Sequence, residues 1–223
     1  MGLTMNSSVL EIQRIRTPQN RSIGTSSLIN SEQIVNLEAT SSVYTTRNLS
    51  PAQKDPLIEN YFRSGFQERI SSRRRVALRL KSFDSVFLVL EWSQRGDVDD
   101  AYDAAVDLLA ECEEVLIGAL QYLYLEYPRE GRDRARLEIK LDVLISGLAR
   151  ASRLSCESRL RAITALMGCE SRIVKTAIID AIAKLEHKRN KKQVRGILEW
   201  FASPNQFDTY VREYAKEALE DLE

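Results

Sequence analysis

Arg69, Arg73, Arg74, Arg75 and Arg79, followed by Lys81, crowd one short stretch of this chain, against a single nearby acid, Glu68. Guanidinium forks grip carboxylates and phosphates in two-point fashion, so such a run is chemistry for holding an anion. Immediately downstream the sign reverses. From Asp97 to Glu126 every charged residue is acidic: Asp97, Asp99, Asp100, Asp103, Asp107, Glu111, Glu113, Glu114 and Glu126. A second basic cluster, Lys188, Arg189, Lys191 and Lys192, precedes Arg195 near the C-terminus. Lysine plus arginine total 32 and aspartate plus glutamate total 32, so the net charge is zero and the signs are segregated rather than unbalanced. Segregation of this kind describes surfaces.

Three readings of the arginine run follow. Its arginines form a solvated helix face while Val76, Leu78 and Leu80 point inward. Alternatively the run docks on the acidic segment that follows it and caps one end of the fold. In the third reading it is a phosphate-binding stripe for nucleic acid. The adjacent acidic block opposes that use, and no base-stacking aromatics are interleaved with the arginines.

Catalytic constellations are missing from the sequence. The single histidine, His187, sits in Glu186-His187-Lys188-Arg189 at a predicted helix end, where a cation complements the helix dipole. One histidine builds neither a Ser-His-Asp triad nor a histidine-rich metal site. No glycine-rich phosphate loop or G-x-S-x-G turn is present. Cys112, Cys156 and Cys169 are odd in number and lack paired spacing, which fits reduced thiols in a cytoplasmic protein. Any of the three is a formal nucleophile, but Cys156 and Cys169 fall where a helix needs small core residues. We expect no catalytic residue, cofactor or metal.

The elements that carry these charges are helices. Val211, Ala215, Ala218, Leu219 and Leu222 share one helical face. The same five slots recur 37 residues upstream as Val174, Ile178, Ala181, Ile182 and Leu185. They recur once more as Leu137, Leu141, Leu144, Ile145 and Leu148, and after a one-residue shift as Ala101, Ala105, Leu108, Leu109 and Cys112. A fixed period of this length marks stacked helical repeats. The pattern predicts helix pairs at 83–94 with 98–113, 115–127 with 130–150, 153–167 with 171–186, and 191–202 with 206–222. Two further helices, at 52–62 and 66–81, precede them. Gly96-Asp97, Pro128 and Ser203-Pro204 supply the breaks.

Over residues 83 to 223 the pairs resemble HEAT repeats. Asp208, Val211, Arg212, Ala215, Ala218, Leu219 and Leu222 match the second-helix pattern of that family; in the preceding repeat Val174 and Lys175 fill the Val-Arg slots and Ser171 the Asp slot. One repeat earlier the charged positions are reversed, as Arg134 and Glu138. The resemblance implies an all-α, right-handed α-solenoid of about four HEAT-like pairs. One or two extra helices and a flexible N-terminal tail would precede it. Residues 1–50 are rich in Ser, Thr and Asn and read as that tail, with 51–223 as the repeat domain. Val9-Leu10-x-Ile12-x-x-Ile15 and Ser31-x-x-Ile34-Val35-x-Leu37 are its two apolar pieces. No secretory h-region appears, and the longest apolar stretch, 115–125, is too short to span a bilayer.

The function expected is non-catalytic: an adaptor or assembly factor that binds another protein through a charge-segregated surface. That surface comprises Arg69, Arg73, Arg74, Arg75, Arg79, Asp99, Asp100, Asp103, Asp107, Lys188, Arg189, Lys191 and Lys192. Nucleic-acid binding by the 69–81 helix ranks second. A HEAT-like bilin lyase ranks third, on fold analogy alone.

Overall fold

A computed structural model describes residues 55–127, 134–185 and 190–222. The expected tail, His187, Lys188 and Arg189 therefore lie outside the described residues. All regular structure among the described residues is helical: α1 (Pro56–Arg63), α2 (Phe66–Ala77), α3 (Phe83–Trp92), α4 (Ala101–Leu109), α5 (Glu113–Glu126), α6 (Arg134–Arg150), α7 (Cys156–Thr164), α8 (Arg172–Lys184), α9 (Lys191–Ala202) and α10 (Thr209–Glu220).

Local chemistry sets the starts. Asp55 precedes Pro56 and accepts a hydrogen bond from the Leu57 amide at 2.9 Å. Ser82, Ser155 and Ser171 accept from the amides of Ser85, Ser158 and Val174. Asp208 accepts from both Tyr210 and Val211. Each such cap satisfies an amide with no partner inside the helix. The helix expected over 98–113 is shorter, Ala101–Leu109, because Asp100 takes a left-handed conformation at φ 55° and turns the chain just before it. Among non-glycine residues, aspartate is one of the few that adopts this conformation readily.

The even helices pack in succession: α2 on α4, α4 on α6, α6 on α8 and α8 on α10. The odd helices flank them. α3 packs on α1, α4 and α5; α5 on α6; α7 on α6 and α8; α9 on α8 and α10. The apolar slots explain this order. All five are buried in α4 and its C-terminal turn, in α6, and in α8 with Leu185. Gly147 brings α6 especially close to α4, since a Cβ there would lie 3.2 Å from that of Leu109. At the first end, Phe62 stacks on Trp92 with centroids 5.5 Å apart.

The last helix departs from the expected pattern. Val211 and Ala215 are buried, but Ala218, Leu219 and Leu222 are only half-buried. α8 is covered by even helices on both sides, whereas α10 has α8 on one side only among the described residues. The equivalent substitution should therefore cost different amounts at the two places. Ala181, 2% exposed, is enclosed by packed helices. Ala181→Asp buries an unpaired carboxylate and should lower unfolding free energy by about 3 kcal/mol or more, whereas Ala218→Asp lets the charge reach water and should cost about 1 kcal/mol. Urea denaturation of both variants measures the difference; equal losses would contradict the burial pattern.

Candidate functional site

The five-slot spacing continues into α2 and the turn after it, as Arg69, Arg73, Val76, Ala77 and Leu80. The first two core slots of this helix are arginines, an extension that a search for apolar periodicity overlooks. Val76, Ala77 and Leu80 are buried as the spacing requires. Arg69 is buried too, at 8% exposure, and its guanidinium closes on the corner before α4. One nitrogen donates to the Asp99 carbonyl at 3.2 Å and another lies 3.7 Å from the Asp100 carboxylate. The left-handed turn at Asp100 is thus held by a side chain from the neighbouring even helix.

A ladder of charges runs on from there. Arg73 pairs with Asp107 at 2.8 Å, Asp107 also receives Arg150 of α6 at 2.6 Å, and Arg150 reaches Asp103 at 3.4 Å. Arg153 stands 3.7 Å from Glu111. Beside these pairs the Tyr61 hydroxyl donates to the Ala104 carbonyl at 3.2 Å. Burial pushes that phenol up to about 12, so it remains a neutral donor even with Arg73 pulling the other way. The basic helix docks on the acidic one through Arg69, Arg73, Asp100 and Asp107, while Asp103 is held by Arg150 of α6.

The other arginines, Arg74 and Arg75 of α2 and Arg79 of the turn after it, have no such partner among the described residues. Arg74, Arg75 and Arg79 are exposed, and none forms an ion pair with a described carboxylate. Leu78 is 60% exposed, where the sequence pattern placed it inward. It follows Ala77, the last helical residue, and the 76–77–80 register leaves it on the opposite side. Phe66 (64% exposed) and Ile70 (48%) continue the same i, i+4 row. Phe66 and Ile70 also line a groove of about 370 Å³ between α2 and α4, with Arg69, Arg73, Asp103 and Arg150 among its other walls.

Elsewhere the expected surface residues divide. Lys191 is exposed and donates to the Leu222 carbonyl at 2.9 Å; Lys192 is exposed. Among the aromatic residues singled out by the sequence, Tyr127 and Phe201 are buried, while Tyr122, Tyr124, Trp200 and Tyr214 are half-buried. Phe207 and Tyr210 are exposed. They stand next to Arg172 and Asp208, a closed pair at 2.8 Å that holds the Asp208 carboxyl below its ordinary value.

Two tyrosine–aspartate contacts tie successive even helices. Tyr102 of α4 donates to Asp142 of α6 at 3.1 Å and shares a hydrogen bond with Ser146; Tyr214 of α10 donates to Asp180 of α8 at 2.7 Å. Burial, and next the Asp180 charge, raise the Asp142 carboxyl, although the hydrogen bond from Tyr102 lowers it.

Burial drives the Cys112 thiol up to about 12, and the thiol lies 3.3 Å from the Leu108 carbonyl, so it is a protonated core group rather than a nucleophile. Cys169 is buried, and the half-buried Cys156 accepts a hydrogen bond from the Asn190 amide at 2.8 Å. No cluster of three metal-ligating side chains exists among the described residues, and none of the described helices is long and apolar enough to cross a membrane. No protein-family model matches the chain, nor does any curated protein or solved structure.

Two measurements check this electrostatic reading. A double-mutant cycle on Arg73 and Asp107, both about one-third exposed, should give a coupling of about 1 kcal/mol. It should shrink in 1 M salt, where the screening length falls to about 3 Å. Asp142 tests the sign of the pH dependence. A carboxyl whose folded value is raised contributes stability in full below its ordinary value of 3.8, and that contribution is lost as pH rises through the folded value. Asp142→Asn should therefore melt above the wild type at neutral pH. The gap should close as pH falls below 3.8. A variant that melts lower at neutral pH would contradict this assignment.

Proposed function

We propose that the chain is a non-catalytic adaptor or assembly factor: a HEAT-like, right-handed α-solenoid that binds another protein through the outer face of α2. The packing of α2, α4, α6, α8 and α10 each on the next supports the solenoid reading, as do the apolar slots repeated along them. One observation carries the functional part. The arginine run is divided: Arg69 and Arg73 are neutralised by the α4 segment, whereas Arg74, Arg75 and Arg79 flank the exposed Leu78 and pair with no described carboxylate. Cations left over beside an uncovered apolar side chain are what a protein interface uses, because apolar burial supplies affinity and charge supplies orientation.

Nucleic acid is the second reading, and the same three arginines favour it. The carboxylates of Asp100, Asp103 and Asp107 weigh against it, since they share the groove that Phe66 and Ile70 line. Paired with Arg69, Arg73 and Arg150, they leave the groove without the net positive charge that a phosphate chain laid along α2 requires. Bilin-lyase chemistry has no residue here to support it.

Affinity capture with the full chain, with and without nuclease, separates the readings. Protein partners retained after nuclease and lost with Arg74→Gln/Arg75→Gln/Arg79→Gln are the expected outcome. Loss of all partners on nuclease treatment, with steep salt dependence, would put nucleic acid first.

A further inference from the structure

Resting on the adaptor reading, we propose that the partner element is an acidic amphipathic helix, lying along the α2 row Phe66–Ile70–Arg74–Leu78 with its carboxylates against Arg74, Arg75 and Arg79.

The chain already contains one such contact. α4 is a helix with acids along one side, and α2 receives it by setting Arg69 and Arg73 against the Asp99–Asp100 corner and Asp107. The buried apolar residues of these two elements are Val76, Ala77 and, in the turn after α2, Leu80, and on α4 they include Ala104, Ala105 and Leu108. The row repeats the combination beside that contact: Phe66 and Ile70 line the rim of the α2–α4 groove, and Arg74 and Leu78 continue it outside the groove. Arginines stand at Arg74, Arg75 and Arg79, and the apolar members are Phe66, Ile70 and Leu78, all exposed. Within the contact the apolar and cationic groups are covered by an acidic helix. Beside it the same two kinds of group are uncovered.

Dimensions and charge narrow the occupant. From Phe66 to Leu78 the row is about 18 Å long at 1.5 Å per residue, which matches roughly three turns of a partner helix. A helix that places apolar residues at i, i+4 and i+11 meets Phe66, Ile70 and Leu78 while its flanking acids reach the arginines. A polyphosphate chain carries charge at every step and would meet Asp100, Asp103 and Asp107 across the groove. A helix can present acids to the α2 side and none to the α4 side. An anionic membrane has the same difficulty as a phosphate chain, because it presents charge across a broad plane.

Selection from a phage-displayed library of random peptides about 16 residues long, with the full chain as bait, tests the proposal. The enriched sequences should be rich in Asp and Glu, with apolar residues at helical spacing. A synthetic consensus peptide, followed by fluorescence anisotropy, should bind the wild type. It should bind Leu78→Ser, and separately Arg74→Glu/Arg75→Glu, at least about tenfold more weakly. These side chains are exposed, so both variants should melt as the wild type does; should the double variant not fold, Leu78→Ser and Arg74→Gln carry the comparison. Enrichment of non-acidic peptides overturns the proposal, as does undiminished binding to the variants. So does tighter binding of oligothymidylate, or of vesicles containing phosphatidylserine, than of the consensus peptide. Nuclease-resistant partners captured equally by wild type and Arg74→Glu/Arg75→Glu would remove the acidic helix from α2 and leave the adaptor reading standing on another surface.

Discussion

A helix with a single apolar stripe gains little by folding alone, and everything in this molecule follows from where those stripes are covered. Each even helix presents the same five positions, and covering them takes an odd helix together with an even neighbour. In α6 and α8 the cover is complete and all five positions are dry. α10 has a neighbour on one side only among the described residues, and its last three slots remain half-wet. Polar ties such as Tyr102–Asp142, Tyr214–Asp180 and Arg172–Asp208 fix the register of one even helix on the next. They add orientation to an association whose energy is apolar.

α2 meets the same constraint with different chemistry. Its first two slots hold arginines, so part of its contact with α4 is ionic where later contacts are aliphatic. Arg69 accordingly does two things: it fills a core position and it clamps a backbone corner that aspartate holds in a left-handed conformation. The acidic character of α4 is the complement that this arrangement needs. Segregated charge in the sequence is here, in part, a record of internal packing. Only the residue of that pairing, the arginines facing away from α4, is available for anything else.

Helix content and pairing were legible because a 37-residue apolar period survives in three segments, and the breaks coincide with Gly96-Asp97 and Ser203-Pro204. Boundaries at α9 agree residue for residue, since Asn190 and Ser203 bracket the pattern closely. Other features were not legible. An apolar search skips arginines, so α2 does not read as another copy of the five-slot pattern. Leu78 looked like a core residue because leucine usually is, while the turn after Ala77 carries it outward. Which arginines are consumed and which are spare depends on a docking angle between helices. No run of residue types encodes that angle by itself.

The two tryptophans occupy opposite ends of the array in unlike surroundings. Trp92 is buried, stacked on Phe62, with the Arg95 guanidinium 4.2 Å from its ring centroid. Trp200 is half-buried and meets Phe201 edge-on at 5.0 Å. Helices that pack on few neighbours open with a free energy of their own, separate from that of global unfolding. The chain therefore carries an optical probe at each end. A cation over one indole and a ring edge beside the other give the two emissions different colours, so fraying of the first pair and fraying of the last can be watched separately in a single cuvette.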